Sequence, residues 1–390
     1  PATPASGILA SIDSLMGRQP DSAFVLLQEF TVSPEADSLD VFSRHYCQLM
    51  VSELLYRNDC GQSNRDAVLK ARPYFDSLSE AFPKDPALAL LSARAHYMKG
   101  VGYYERDSVT EACREYLQAL EIMEGRFEEK ELVGTKARFM ALTYNRLANL
   151  FSDQLMLEPS IAFERQALSF CKKAPTSLYG VSKNLYHIGV YYDMQNNVDS
   201  AFFYYEQALD NLPDTSNLVH RDIVSSKAFL SYCLSKGTGS ALSDLKRMLV
   251  KSESEGERLR RCLTISEIYF KEQALDSVLH YSEIVFKKSD DKLSKLQAAS
   301  HLQYVYEKEG NALKSNEYTK FLSYYTLPEV IQNKNNATLT RLIQKNENRK
   351  LNLIRLREKK KSNRHAVFVF SVLTMFLIAL IVLPLSLKHR

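Results

Sequence analysis

The fold is decided by residues 185–213, which read LYHIGVYYDMQNNVDSAFFYYEQALDNLP. Apolar and small side chains recur at helical spacing in the first half of this stretch, at Leu185, Ile188, Gly189 and Tyr192. They recur in the second half, at Ala201, Tyr205 and Ala208. A polar turn over residues 195–200 separates the two stripes, and Pro213 ends the unit. This pattern predicts a helical hairpin in which small residues let the two helices approach closely.

The hairpin resembles the tetratricopeptide repeat (TPR), whose two helices carry the pattern W-x2-L-G-x2-Y, then A-x3-F, A and P. Leu185 stands at the tryptophan position and Tyr205 at the phenylalanine position, while the other positions match. The resemblance implies an all-α fold. Its stacked hairpins would form a right-handed superhelical solenoid with a concave groove.

The same positions recur elsewhere in the chain, so the hairpin is one unit of a repeat array. One hairpin matches at Gly100, Tyr103, Ala112, Tyr116 and Ala119, and another at Tyr144, Leu147, Ala148, Phe151 and Ala167. Weaker matches lie at Ala228, Tyr232 and Ala241, at Ile265, Tyr269 and Val278, and at Leu302, Tyr306 and Ser315. Apolar residues at helical spacing before residue 83 indicate two more hairpins. We therefore predict about eight hairpins between residues 8 and 325, with their stripe residues packed in a continuous core.

Changes in composition divide the chain into a flexible leader, residues 1–7, the repeat array, residues 8–327, and a basic linker helix, residues 328–365. Ten Lys or Arg side chains lie in residues 341–365 against two Glu. Leucines at heptad-like spacing are interrupted by polar residues, at Leu339, Leu342, Leu353 and Leu356. A solvated linking helix and a coiled coil through which the chain could form oligomers therefore both stay open.

Residues 366–387 contain no charged side chain, and fifteen of them are Val, Leu, Ile or Phe. At about 1.5 Å per residue a helix of this length spans about 33 Å, enough for a hydrocarbon core of roughly 30 Å. The stretch predicts one transmembrane helix. It is followed by a short tail, residues 388–390, that could be truncated, and the chain begins at Pro1, so an upstream signal peptide could precede it.

The whole chain resembles Bacteroidetes-type membrane-anchored TPR proteins, which have a repeat array, a basic linker helix and one membrane span. That resemblance implies a bacterial inner-membrane protein with periplasmic repeats, whereas the excess of basic residues before the span favours cytoplasmic repeats. Some relatives continue into a helix-turn-helix domain. The alternative is therefore a truncated, membrane-bound transcriptional regulator whose DNA-binding domain would follow residue 390; the visible chain itself predicts no nucleic-acid partner.

No motif in the sequence indicates catalysis. The glycine-rich loop at residues 237–240 lacks the strand and the third glycine of a dinucleotide site. There is no H-E-x-x-H, G-x-S-x-G or Walker lysine motif, and the eight histidines are scattered. The six cysteines form no C-x2-C pair, so we expect buried small hydrophobic side chains and not a zinc site. These features predict a protein that is not an enzyme and binds neither cofactor nor metal.

The resemblance also implies where a ligand would bind, on the face of each first helix that points away from the second helix. Carried over by position, the peptide-binding residues are Arg94, Tyr97, Asn145, Asn149, Lys183 and Tyr186. Such side chains can hold an extended protein or peptide segment by charge-assisted and amide hydrogen bonds. One TPR subfamily grips chaperone tails with a carboxylate clamp. Here Tyr97, Val101 and Arg146 replace clamp residues and only Asn149 and Lys183 match, which argues against a co-chaperone.

Overall fold

A computed structural model describes residues 7–16, 19–57, 68–174, 178–195, 197–212, 224, 227–228, 239–252, 254–325 and 329–388. These residues form helices joined by short turns, and there is no β-strand among them. The predicted all-α fold is confirmed.

The described α-helices are α1 (Gly7–Met16), α2 (Pro20–Thr31), α3 (Pro34–Asp37), α4 (Val41–Arg57), α5 (Val68–Ala81), α6 (Pro86–Tyr104), α7 (Val109–Arg126), α8 (Gly134–Asp153), α9 (Leu157–Cys171), α10 (Leu178–Met194), α11 (Val198–Asp210), α12 (Gly239–Val250), α13 (Glu255–Lys271), α14 (Leu275–Lys288), α15 (Lys292–Lys308), α16 (Ala312–Tyr325) and α17 (Glu329–Lys388). A short 3₁₀ helix, Glu129–Glu131, precedes α8.

Neighbouring helices pack as hairpins in the pairs α1/α2, α4/α5, α6/α7, α8/α9, α10/α11, α13/α14 and α15/α16. The second helix of one hairpin contacts the first helix of the next at α5/α6, α7/α8, α9/α10 and α14/α15. This is the stacking expected of a repeat array, in which each unit buries its apolar face against its neighbours. The hairpin predicted at Ala228, Tyr232 and Ala241 falls largely on residues 229–238, which lie outside the described residues.

The turns inside several hairpins share one geometry. The turn after the first helix contains a residue with positive φ, at Asp107, Leu155, Gln273 and Gly310. The following backbone N–H then donates to the carbonyl five residues earlier, as in the bond of 2.9 Å from Met156 N to Phe151 O. This is the bond of a Schellman motif, which satisfies a carbonyl at the helix end and reverses the chain. The repeat is therefore encoded in the turns as well as in the stripes.

Small residues allow close helix packing at two matched points of the array. A Cβ atom added at Gly189 would lie 2.6 Å from Cε1 of Tyr205, and one added at Gly100 would lie 2.6 Å from Cε1 of Tyr116. Both tyrosine side chains are fully buried, so their rings have no open space into which to move. The glycine of the repeat is thus required by contact with the aromatic residue of the second helix.

The cysteine prediction is confirmed for the residues described. Cys47, Cys113, Cys171 and Cys262 are free and buried. Burial raises the pKa of the Cys47 thiol to about 11 and that of Cys113 to about 12, as expected for thiols in apolar surroundings. Cys60 and Cys233 lie outside the described residues.

The chain divides into two units, residues 1–336 and residues 337–390. The second unit consists of the later part of α17, which continues without a break through residue 366, where the sequence places the start of the transmembrane helix. Among the described residues no helix is long and apolar enough to cross a membrane, so the predicted span 366–387 is not found there. The side chains of residues 376–390 lie outside the described part.

Candidate ligand-binding surface

The six predicted ligand-binding residues lie on α6, α8 and α10, the first helices of three successive hairpins. First helices also approach one another directly, since α1 contacts α4, and α4 contacts α6. Side chains from different repeats can therefore meet on this row of helices. We call the side chains at these contacts, together with the six predicted residues, the first-helix surface.

Arg94 lies at the centre of a charge cluster that joins three first helices. Its Nε donates to Oε1 of Glu53 on α4 at 2.8 Å, and its Nη2 donates to Oδ1 of Asp13 on α1 at 2.7 Å. The hydroxyl of Tyr46 donates to the other oxygen of Asp13 at 2.6 Å. Burial opposes the charge of Arg94, but the two carboxylates outweigh it and raise the pKa of the guanidinium. Arg94 is thus held by protein carboxylates, and would have to leave them to bind a ligand.

Tyr97, Arg146 and Tyr56 form a second cluster, which we call the Arg146 site. Nε of Arg146 donates to the Tyr97 hydroxyl at 3.4 Å, and its Cζ lies 5.0 Å from the centre of the Tyr56 ring. Tyr97 is buried, whereas Arg146 and Tyr56 are partly exposed. Burial lowers the pKa of the Arg146 guanidinium. Among the described residues, Arg146 forms no ion pair with a carboxylate.

The two predicted asparagines of α8 face polar side chains of α10. The hydroxyl of Tyr191 donates to Oδ1 of Asn149 at 3.5 Å. Asn184 reaches Asn145 when its amide is oriented so that both atoms find partners, because Nδ2 then lies 3.2 Å from Oδ1 of Asn145. Both predicted asparagines are half-buried. The first helices α8 and α10 are therefore bridged by amide and phenol groups that could also bond an extended peptide backbone.

The buried carboxylate of Glu164 extends this polar contact into the hairpin. It accepts a hydrogen bond of 2.9 Å from Nδ1 of His187, and with the same amide orientation Asn184 donates to Oε1 at 3.2 Å. Its other oxygen, Oε2, has no hydrogen-bond partner in the described structure. Glu164 follows Ser160 by four residues and so occupies the aromatic position of the repeat, where Tyr116 and Tyr205 stand in the neighbouring hairpins.

The remaining two predicted residues, Lys183 and Tyr186, lie in the first half of α10. The Lys183 side chain is exposed, and the half-buried ring of Tyr186 lies 5.9 Å from the ring of Tyr205. Beyond them, Nζ of Lys227 lies 3.8 Å from a carboxylate oxygen of Asp193 and 3.8 Å from one of Glu267. The polar character of the first-helix surface thus continues toward α13.

Sequence reasoning missed Arg146 and Tyr56 on this surface, and Glu164 on the second helix that packs against it. The repeat pattern identified Arg146 only as a departure from the carboxylate clamp. Tyr56 belongs to a stretch without a clear match to the repeat, so no pattern indicated it. Glu164 could have been found, since an acid at the aromatic position of a repeat is a departure that the alignment shows directly.

The described structure also has a bearing on two other kinds of site, a metal centre and an apolar cleft. No group of three or more His, Cys, Asp or Glu side chains in the described residues could hold a metal ion. An apolar cleft of about 850 Å³ lies where α4, α5 and α6 meet, and is lined by Phe42, Tyr74, Leu78, Phe82 and Pro86 among others. None of the predicted ligand-binding residues lines it.

The chain has an all-helical, TPR-like repeat fold. No protein-family model and no curated protein matches it. Among solved structures it is similar to the apo form of RapI, with 13% identity over 82% of this chain and 96% of that chain, at a TM-score of 0.56. It is also similar to a Rap protein complexed with Competence and Sporulation Factor, with 16% identity over 89% of this chain and 91% of that chain, at a TM-score of 0.55. At these identities the likeness shows the fold alone.

Proposed function

We propose that this chain is a non-catalytic scaffold or sensor that binds a protein or peptide segment along its first-helix surface, in the groove of a right-handed superhelix. The observation that carries the proposal is the succession of polar contacts between first helices, with Tyr97 and Arg146 at one junction and Asn149 and Tyr191 at the next. Amide, phenol and guanidinium groups aligned over several repeats suit an extended peptide, whose backbone offers alternating donors and acceptors. The complex of a similar Rap structure with Competence and Sporulation Factor supports a ligand-binding role for this fold.

The proposal is tested by exposing the immobilised full chain to an equimolar library of synthetic heptapeptides and measuring enrichment by mass spectrometry. The wild type should enrich a subset of peptides. A double variant, Asn149→Ala with Lys183→Glu, should lose at least tenfold of that enrichment, because one amide contact and one favourable charge are removed at the surface.

The matched control carries the same types of change on a second helix. Gln166 and Lys172 are exposed on α9 and at its end, so Gln166→Ala with Lys172→Glu alters an amide and a lysine away from the first-helix surface. This control should bind like the wild type. Equal enrichment by all three proteins would show that binding does not use the first-helix surface, and no enrichment by the wild type would refute the proposed function.

We further propose that residues 366–387 anchor the chain in a bacterial inner membrane, with the repeats outside the cytoplasm. The uncharged 22-residue sequence supports the anchor, and the resemblance to membrane-anchored TPR proteins supports the orientation. The alternative of a membrane-bound regulator with a DNA-binding domain is distinguished by reading the gene beyond the codon of Arg390.

A further inference from the structure

Two arginines on adjacent first helices differ in how their charge is compensated. Arg94 on α6 has carboxylates from two other helices within hydrogen-bond distance. Among the described residues, Arg146 on α8 has only a long bond to a phenol and one aromatic ring. A guanidinium carries five N–H donors in a planar fork. Most of the donor capacity of Arg146 is therefore unused by the described residues.

The two clusters are successive layers of the same helices. Tyr56 follows Glu53 by three residues on α4, and Tyr97 follows Arg94 by three residues on α6. Residues at this spacing lie on one helix face, one turn apart. Where the first layer provides the carboxylate of Glu53, the second layer provides tyrosines and places Arg146 against them. The Arg146 cation thus lies against two tyrosine side chains. Glu53, one turn earlier on α4, neutralises Arg94, and α4 carries Tyr56 in place of such an acid beside Arg146.

This arrangement is unfavourable for the free protein. A charged group that is removed from water without a paired opposite charge loses hydration free energy, and burial lowers the pKa of Arg146 accordingly. The contact with the Tyr56 ring recovers part of that loss as a cation–π interaction. An oxyanion at the open part of the guanidinium would recover more, because guanidinium and carboxylate form two parallel charge-assisted hydrogen bonds.

We propose that Arg146 anchors a carboxylate of the bound peptide, either its C-terminus or an Asp or Glu side chain, between Tyr56 and Tyr97. This rests on the proposed peptide-binding function and specifies its ligand class. The Tyr97 hydroxyl accepts from Nε of Arg146 and so helps to fix the orientation of the guanidinium. The Tyr56 ring shields one side of the ion pair from water.

The binding test uses peptides that the wild-type full chain enriches from the heptapeptide library. Each is resynthesised with its C-terminal carboxylate amidated, with Asp and Glu replaced by Asn and Gln, or with a phosphoserine in place of the acid. Either the C-terminally amidated form or the Asn/Gln form should bind at least tenfold more weakly to the wild type, because the carboxylate that pairs with Arg146 is lost in one of them. Arg146→Gln should abolish the difference between acid and amide, and Arg146→Lys should keep part of it, since lysine keeps the charge but not the fork.

The control is Arg138→Gln, an exposed arginine on the same helix, which should discriminate like the wild type. If the wild type binds peptides but treats acid and amide forms alike, or if Arg146→Gln still discriminates, the inference is wrong while the proposed function stands. If only the phosphoserine peptides depend on Arg146, the assignment to a carboxylate is wrong. If the wild type binds no peptide, both proposals are refuted.

A second test needs no ligand. Replacing Arg146 by Met, which has similar length and no charge, should leave the urea midpoint of the full chain unchanged or raise it. Arg94→Met should lower the midpoint, because the buried carboxylate of Glu53 and the half-buried carboxylate of Asp13 both lose the cation of Arg94. If Arg146→Met lowers the midpoint as much as Arg94→Met, Arg146 is a structural residue and the inference is overturned.

Discussion

His96 lies between two carboxylates where α5, α6 and α7 meet. Its Nδ1 lies 2.5 Å from Oε2 of Glu115 and its Nε2 lies 3.2 Å from Oδ1 of Asp76, while its side chain is only 4% exposed. Burial alone would lower the pKa of His96, but the two carboxylates outweigh it and raise that pKa. Burial likewise opposes ionisation of both acids, and their bonds to His96 outweigh it, so their pKa values are lowered. The imidazolium is one cation of an ion-pair network that also includes Lys99, whose Nζ lies 2.8 Å from Oε1 of Glu115, and Arg72, whose Nε lies 3.2 Å from Oδ2 of Asp76.

This network predicts a pH dependence of stability with a definite sign. Because the folded pKa of His96 is raised above 6.5, its contribution is complete below pH 6.5 and is lost as the pH rises through the folded pKa. The acids contribute above their unfolded pKa values of 3.8 and 4.5 and lose that contribution on acidification. As the pH rises above 6.5, the His96 contribution should therefore dominate the slope.

We expect His96→Gln to reduce the free energy of unfolding by about 2 kcal/mol near pH 6, because the half-buried carboxylates of Asp76 and Glu115 each lose one of their cations. The reduction should shrink as the pH rises. Urea unfolding of the full chain at several pH values measures it, with His280→Gln as the control because His280 is exposed. A His96→Gln deficit that does not change with pH would contradict protonation of this histidine.

At the scale of the helix, the contact between Gly189 and Tyr205 sets how closely α10 and α11 approach. Gly189→Ala should lower the free energy of unfolding by about 1 to 3 kcal/mol, since the added methyl group overlaps a ring that is fully buried. Thermal unfolding followed by circular dichroism measures the change.

Gly102→Ala is the matched control for this substitution. Gly102 lies in α6, two residues after the equivalent Gly100, and a Cβ added there meets nothing within 4 Å. Alanine favours a helix over glycine, so this control should raise stability by roughly 0.5 to 1 kcal/mol. If both variants melt alike, the close approach of the glycine and tyrosine positions does not limit the hairpin.

The helices and their pairing could be predicted because each hairpin is encoded by residues that are close together in the sequence. The stripe residues of α10 and α11 lie within 24 residues of one another, from Leu185 to Ala208, and both helices formed where the stripes predicted them. Side-chain partners were not predictable in this way. Arg94 meets Glu53 and Asp13 across 41 and 81 residues, separations that carry no periodic signal. The sequence therefore indicated which helix faces would carry polar residues, but not which of those residues neutralise one another.

The same limit applies to the candidate ligand-binding surface. Tyr97 and Asn149 were predicted from their repeat positions, and each lies against a side chain of a neighbouring first helix. Whether an arginine on this surface is compensated depends on side chains of other repeats, and that distinguishes Arg146 from Arg94. Repeat position predicted ligand contact for Arg94, which carboxylates of other repeats hold, and did not predict it for Arg146.

At the scale of the whole molecule, two arguments about membrane orientation conflict. Residues 341–365 carry ten basic side chains, whereas Lys388 and Arg390 are the basic residues that follow the proposed span. This bias favours a cytoplasmic array under the positive-inside rule. Long domains, however, cross membranes largely regardless of their charge, and the repeat array is long. The resemblance to membrane-anchored TPR proteins then favours repeats outside the cytoplasm.

We predict that the full chain sediments with bacterial membranes and resists extraction at alkaline pH, because residues 366–387 lack charge over a length that matches the hydrocarbon core. Alkaline phosphatase fused after Arg390 should be inactive, since it would lie in the cytoplasm, and the repeats should be degraded by protease added to spheroplasts. A cytoplasmic β-galactosidase fusion at the same position should be active and serves as the reciprocal control. Active phosphatase together with protected repeats would reverse the orientation, and recovery of the chain in the soluble fraction would remove the anchor itself.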